Sequence, residues 1–139
     1  MAQRQQRILV VEDDEPLANL LKRVLEGIGH QVKMANSGAA AIREATATRP
    51  DLVILDVNLP DTSGFDVCRI LRNLYHPSIL PVLMFTGLNQ PIDQLRGFAH
   101  GADAYLTKPC EMSELVGTVG VLLEQRSGRT DSPDTPVLD

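Results

Sequence analysis

Residues 8–16 read ILVVEDDEP, an unbroken apolar run that follows Arg7 and stops at the acidic cluster Glu12, Asp13, Asp14 and Glu15. A short continuous run of aliphatic and β-branched residues is the pattern of a strand buried on both faces, as in a parallel sheet. Its abrupt end therefore sets carboxylates at the carboxyl end of that strand. Pro16 suits a first helical turn, and Leu17, Leu20, Leu21, Val24, Leu25 and Ile28 recur at steps of three and four before Gly27 and Gly29 stop the helix. The same grammar returns at residues 52–56, LVILD, a second fully apolar run that ends on a carboxylate, Asp56.

Outward from these two stretches the chain keeps alternating. His30 to Ala35 is a short strand in which Val32 and Met34 alternate with polar residues, and Ser37 is the expected N-cap of a helix over Gly38 to Thr48, broken by Pro50. Asn58 to Gly64 is a loop by composition, and Phe65, Val67, Cys68, Ile70, Leu71 and Leu74 give helical spacing up to Tyr75, with Pro77 as the stop. Pro81 opens the strand VLMF, which runs into Thr86 and Gly87. A less apolar helix, Ile92 to His100, is closed by Gly101, and a last strand, Ala104 to Thr107, leads to Lys108, Pro109 and a helix from near Ser113 carrying Leu115, Val119, Leu122 and Leu123. Residues 1–6 read as an N-terminal extension, 7–125 as one folded domain, and 126–139 as a flexible tail or linker, since SGRTDSPDTPVLD from Ser127 has a linker composition.

Five strands alternating with five helices predict a doubly wound parallel sheet covered by helices on both faces, a three-layer α/β/α sandwich. Such sheets bind ligands beyond the carboxyl ends of their strands. The acidic cluster, Asp56, Thr86 and Lys108 all fall there.

The composition narrows the function classes. A chain of 139 residues with 43% hydrophobic and 22% charged residues is one globular domain. The net charge of −5 and the lack of a Lys/Arg stripe speak against nucleic acid as a partner of this segment. No apolar run reaches the roughly 18 residues a membrane span requires and no signal segment follows MAQRQQR, so a cytoplasmic protein without membrane contact is expected. Cys68 and Cys110 lie in apolar contexts without a CxxC pattern and read as packed hydrophobes rather than disulfide or zinc ligands. His30, His76 and His100 fall near helix ends and are assigned no role.

Carboxylates gathered without partners repel one another unless a cation neutralises them. An oxygen-only donor set suits Mg2+, with Mn2+ as the alternative, and such ions complete their shells with phosphate oxygens. Lys108 can pair with a phosphoryl oxygen or with Asp56, Thr86 can donate a hydroxyl, and Gly87 leaves room for the incoming group. One aspartate then remains as a nucleophile able to form an acyl phosphate.

Four segments carry a family resemblance: VVEDD at 10–14, LDVNLPDTSGFD at 55–66, MFTG at 84–87 and GADAYLTKP at 101–109. In this order, with 30 positions from Asp56 to Thr86 and 22 from Thr86 to Lys108, the chain resembles the receiver domains of bacterial two-component response regulators over roughly residues 6 to 125. The resemblance implies a flavodoxin-like sheet of strand order 2-1-3-4-5. It implies that Asp56 is phosphorylated by a sensor histidine kinase or histidine phosphotransfer protein, and that Asp13 ligates the metal directly, Glu12 through water and Asn58 through its backbone carbonyl. Thr86 and Tyr105 match the family's switch pair, Lys108 its phosphate-binding lysine, and the Lys108–Pro109 bond is expected to be cis. Phosphorylation would then act on a downstream effector or output domain, with a phosphorylation-dependent homodimer across the fourth and fifth helices as one route; the first helix would select the kinase. Asp14 lies one position beyond the acidic pair. Gly87 and Cys110 depart from the commonest pattern, as does the apolar Leu88, which with Asn58 flanks the path of an attacking water and is expected to slow self-dephosphorylation.

Two other readings stand beside this one. A receiver-like binding module independent of phosphorylation would need none of the acidic pair, Asp56, Thr86 or Lys108. A metal-dependent aspartyl-phosphate phosphatase would be expected to carry aspartate where Asn58 stands, and a cap domain to shape its substrate pocket.

Overall fold

The computed structural model describes residues 5–76 and 79–130, with only the backbone described for 127–130. Strands β1 (Arg7–Val11), β2 (Gln31–Ala35), β3 (Leu52–Leu55), β4 (Val82–Thr86) and β5 (Ala104–Thr107) alternate with helices α1 (Glu15–Gly27), α2 (Gly38–Thr48), α3 (Gly64–Leu74), α4 (Pro91–Ala99) and α5 (Met112–Thr130). The strands form one sheet in the order β2-β1-β3-β4-β5, and every pairing is parallel. This is the three-layer doubly wound architecture and the strand order expected from the sequence.

The period-two pleat divides each apolar run between the two faces. Leu9 and Val11 of β1, Val53 and Leu55 of β3 and Met84 of β4 pack with Ala41 and Ala45 of α2 and with Phe65, Cys68 and Leu71 of α3. Ile8, Val10, Leu52, Ile54, Leu83 and Phe85 point the other way, onto Leu21 and Leu25 of α1 and Leu115, Val119, Leu122 and Leu123 of α5. An unbroken apolar strand is thus needed because neither face is wet. Each fully buried leucine or isoleucine stabilises the fold by roughly 2 kcal/mol.

Local signals bound the helices, Ser37 of α2 among them as expected. Ser37 caps α2 by accepting from Ala40 N–H at 3.1 Å, and Ser63 caps α3 by accepting from Phe65 N–H at 3.1 Å. Gly29 and Gly101, just past α1 and α4, adopt φ of +104° and +107°, which a side chain would disfavour.

Two expectations are modified. Met34 stays 39% exposed while Val32 is buried, because β2 is the sheet edge and has a neighbouring strand on one side only. The helical backbone of α5 continues through Thr130, into the segment expected as a tail from 126. Arg126 accounts for part of this extension: its Nε donates to the Ile79 carbonyl at 2.6 Å and its guanidinium pairs with Asp51 at 3.0 Å, holding the helix against the sheet. Pro77, residues 1–4 of the expected extension and 131–139 of the expected tail lie outside the described residues. Among the described residues, no helix is long and apolar enough to cross a membrane.

Candidate functional site

The sheet ladder continues one residue past three strands and so fixes the backbone of the three charged residues that follow them. Glu12 N–H donates to the Ala35 carbonyl at 2.9 Å, Asp56 N–H to Val11 at 3.1 Å, and Lys108 N–H to Thr86 at 2.8 Å. Their side chains converge. Lys108 Nζ donates to Glu12 Oε1 at 2.7 Å and to Asp56 Oδ2 at 2.9 Å, and it lies 5.6 Å from the centre of the Phe85 ring. The remaining oxygens are engaged from the loops: Asp14 N–H reaches Glu12 Oε2 at 3.1 Å and Asn58 N–H reaches Asp56 Oδ1 at 3.3 Å. Glu12 and Asp56 are only 4% and 5% exposed, and charge buried to this degree requires such partners.

Carboxylate oxygens of Glu12, Asp13 and Asp56 all lie within 4.8 Å of one another. Three carboxylates face one ammonium, so the cluster is short of positive charge. Burial pushes the Glu12 carboxyl above its ordinary range, against the opposing pull of Lys108 and the Asp14 amide. Burial would also lower the Lys108 ammonium, but its bonds to Glu12 and Asp56 outweigh that and hold it above its usual value. An oxygen-only set with excess negative charge and one exposed member, Asp13, fits a hard divalent cation such as Mg2+. Asp14 serves otherwise: it caps α1, accepting from Leu17 N–H at 3.2 Å.

The expected switch residues meet through a third. Thr86 is fully buried, and its Oγ1 lies 3.4 Å from Leu88 N–H, while Tyr105 donates its hydroxyl to the Leu88 carbonyl at 2.8 Å. The backbone of Leu88 therefore holds both hydroxyls, and its side chain is half-buried against the core. The Lys108–Pro109 bond is cis.

The structure adds residues that periodicity does not reveal. A Cβ on Gly64 would fall 2.1 Å from the Asp56 carbonyl, so α3 can begin against the Asp56 backbone only with glycine there. A Cβ on Gly97 would lie 2.9 Å from the Tyr105 ring, so this glycine lets α4 approach it. Asp61, read only as a loop residue, accepts from the Gly38 and Ala39 amides. In the sequence Gly64 was legible only as the end of the loop from Asn58, within the segment LDVNLPDTSGFD.

No histidine or cysteine belongs to the carboxylate cluster. Cys68 is buried and its thiol is pushed up to about 11 by desolvation, in keeping with a packed hydrophobe. His100 places Nδ1 2.7 Å from the Arg96 carbonyl and its ring beside Phe65.

Comparison with known proteins agrees with this geometry. The family model described as "Response regulator receiver domain" matches residues 8–120. The DNA-binding dual master transcriptional regulator RpaA of Synechocystis sp. is 40% identical over 119 residues, which cover 86% of this chain and 49% of that protein. The DNA-binding response regulator MtrA of Mycobacterium tuberculosis is 42% identical over 120 residues, 86% of this chain and 51% of that protein. The chain thus spans about half the length of these curated relatives. Among solved structures, a CheY-like receiver domain protein from Methanospirillum hungatei superimposes with a TM-score of 0.85 at 25% identity, covering 91% of this chain and 99% of that one. A response regulator structure from Chloroflexus aurantiacus gives a TM-score of 0.79 at 36% identity, covering 87% and 99%. A matched family model over most of the folded region, relatives at 40% identity and above, and a shared fold lead to one conclusion: the chain belongs to the response regulator receiver domains of two-component signalling.

Proposed function

We propose that Asp56 is the phosphoacceptor of this receiver domain, and that residues 7–125 form the unit that receives the signal. The observation that carries this reading is the Lys108 ammonium bridging Glu12 and Asp56 at 2.7 and 2.9 Å inside a carboxylate cluster short of positive charge. Glu12, Asp13 and Asp56, with the Asn58 carbonyl, would hold Mg2+ or Mn2+. When bound, such an ion offsets the charge on the cluster and on the incoming phosphoryl oxygens.

An oxygen of Asp56 attacks the phosphorus of a phosphohistidine on a sensor kinase or phosphotransfer protein. The P–O bond forms as the P–N bond breaks, and the electron pair of that bond leaves with the imidazole. Lys108, already on Asp56, pairs with a phosphoryl oxygen. Thr86 turns its hydroxyl from Leu88 N–H to another phosphoryl oxygen, and Tyr105 gives up the Leu88 carbonyl as its ring moves inward. Such a two-state change requires only a few kcal/mol of differential stabilisation. Leu88 and Asn58 flank the approach of water, and the apolar Leu88 lengthens the lifetime of the acyl phosphate.

The domain is a signalling element whose only chemistry is its own phosphorylation and dephosphorylation. Its partners would be the donor kinase or phosphotransfer protein and an output domain or effector, in the cytoplasm. The exposed Ile92, Leu95 and Phe98 of α4 favour a phosphorylation-dependent homodimer on that face. RpaA and MtrA are DNA-binding regulators; this segment, with a net charge of −5, would itself contact no nucleic acid.

The test is intact mass after incubation with Mg2+ and acetyl phosphate. A gain of about 80 Da is expected, absent in Asp56→Asn and in chelator. A gain that survives in Asp56→Asn would overturn the assignment.

A further inference from the structure

The loop between β3 and α3 begins at Asp56 and is closed on itself. Gly64 N–H donates to the Val57 carbonyl at 2.7 Å, and Asn58 and Ser63 form an isolated antiparallel bridge. Its tip is tied elsewhere. Asp61 Oδ1 accepts from Gly38 N–H at 2.8 Å and Oδ2 from Ala39 N–H at 3.0 Å, so both oxygens grip the first turn of α2, more than 20 residues away in sequence. The third amide of that turn, Ala40, is satisfied by Ser37, the local cap. The packing is tight as well: a Cβ on Gly38 would fall 2.3 Å from Thr62 Cγ2 and 3.4 Å from Asp61 Oδ1. An ionised carboxylate on amides at the positive end of a helix makes charge-assisted bonds stronger than neutral ones. Those amides hold the Asp61 carboxyl below its usual range even though it is exposed.

Capping alone would be served by a residue adjacent to α2, as Ser37 shows. Asp61 instead spends its bonds across the molecule, on the loop that also carries Asn58, whose N–H reaches the acceptor Asp56 at 3.3 Å. We infer that Asp61 is a positioning residue for the phosphoacceptor site: by fastening the loop tip to α2 it holds Asn58 against Asp56 and so sets the affinity for the divalent cation. This rests on the reading of Asp56 as acceptor and Asn58 as a metal ligand.

The experiment compares Asp61→Ala, Asp61→Asn and Ser37→Ala with wild type, with Mg2+ affinity read by isothermal titration calorimetry and phosphorylation by acetyl phosphate read as mass gain across a Mg2+ series. Asp61→Ala and Ser37→Ala each remove a cap from α2, but only the first frees the loop. The expected result is Mg2+ binding weakened about tenfold in Asp61→Ala, as is usual when a residue supporting a metal ligand is lost. Asp61→Asn, which keeps one acceptor oxygen, should be intermediate, and Ser37→Ala should bind like wild type. Phosphorylation of Asp61→Ala should recover at saturating Mg2+. Equal affinity in Asp61→Ala and wild type, or equal weakening in Ser37→Ala, would overturn the inference and leave the acceptor assignment intact. Wild type that neither binds Mg2+ nor gains mass would overturn both.

Discussion

The two ends of the sheet hold their charges differently. At the amino end, Arg72 donates to the carbonyls of Gly101 and Leu80 at 2.7 and 2.6 Å and pairs with Asp103, which also accepts from Val82 N–H at 2.8 Å. Arg126 pairs there with Asp51, whose other oxygen accepts from Arg7 N–H at 2.8 Å. Each pair is one cation to one anion. At the carboxyl end Glu12 and Asp56 share Lys108, and a third carboxylate, Asp13, gathers with them. A structural ion pair is complete without a ligand; the cluster around Asp56 is not, and that surplus negative charge fits it to a cation.

The contrast can be broken most strongly at Arg72. Arg72→Ala takes the cation from Asp103 and the donor from two carbonyls and should lower stability by about 3 kcal/mol in urea unfolding, with no dependence on added Mg2+. Lys108→Met should cost about 2 kcal/mol in chelator, because two buried carboxylates lose their counter-charge, and Mg2+ should restore most of it. Equal responses of the two variants to Mg2+ would mean that the two ends are alike. Removing surplus charge should do the opposite: Asp13→Asn is expected to raise stability in chelator by about 0.5 kcal/mol, whereas Asp103→Asn lowers it.

The smallest expected effect is a difference in pH dependence. Burial lowers the His30 pKa from 6.5, with Asp51 opposing, so the stability tied to neutral His30 is complete above pH 6.5 and is lost as pH falls through the lower folded value. The Gly38 and Ala39 amides lower Asp61 from 3.8, so its contribution is complete above pH 3.8 and erodes only below. His30→Gln should therefore flatten the stability profile between pH 7 and the acid limb, and Asp61→Asn should flatten the acid limb alone, as measured by thermal unfolding.

What the sequence discloses follows from what each interaction depends on. The apolar runs and their polar ends are local patterns, so β1, β3 and β4 were legible, and with them Glu12, Asp56 and Thr86; Lys108 follows the shorter strand β5. The resemblance supplied Asn58 and Tyr105. The amino-end pairs were not legible, because Arg72 meets Asp103 31 positions away and Arg126 meets Asp51 only once the topology exists. The extension of α5 escaped for the same reason: SGRT has a tail's composition, while the nearby Arg126 is held by tertiary partners. Asp61 looked like a turn residue because its partners belong to another helix.

The Leu88 peptide, which holds the hydroxyls of both Thr86 and Tyr105, has an optical corollary. The chain contains two tyrosines and no tryptophan, so its ultraviolet emission comes from phenol alone. Tyr105 is hydrogen-bonded to a carbonyl and lies beside Phe98, whereas Tyr75 packs at the far end of α3. A rearrangement that frees the Tyr105 hydroxyl and moves its ring would change the intensity of that emission, so the native protein carries its own fluorophore for following the transition in stopped flow without a label.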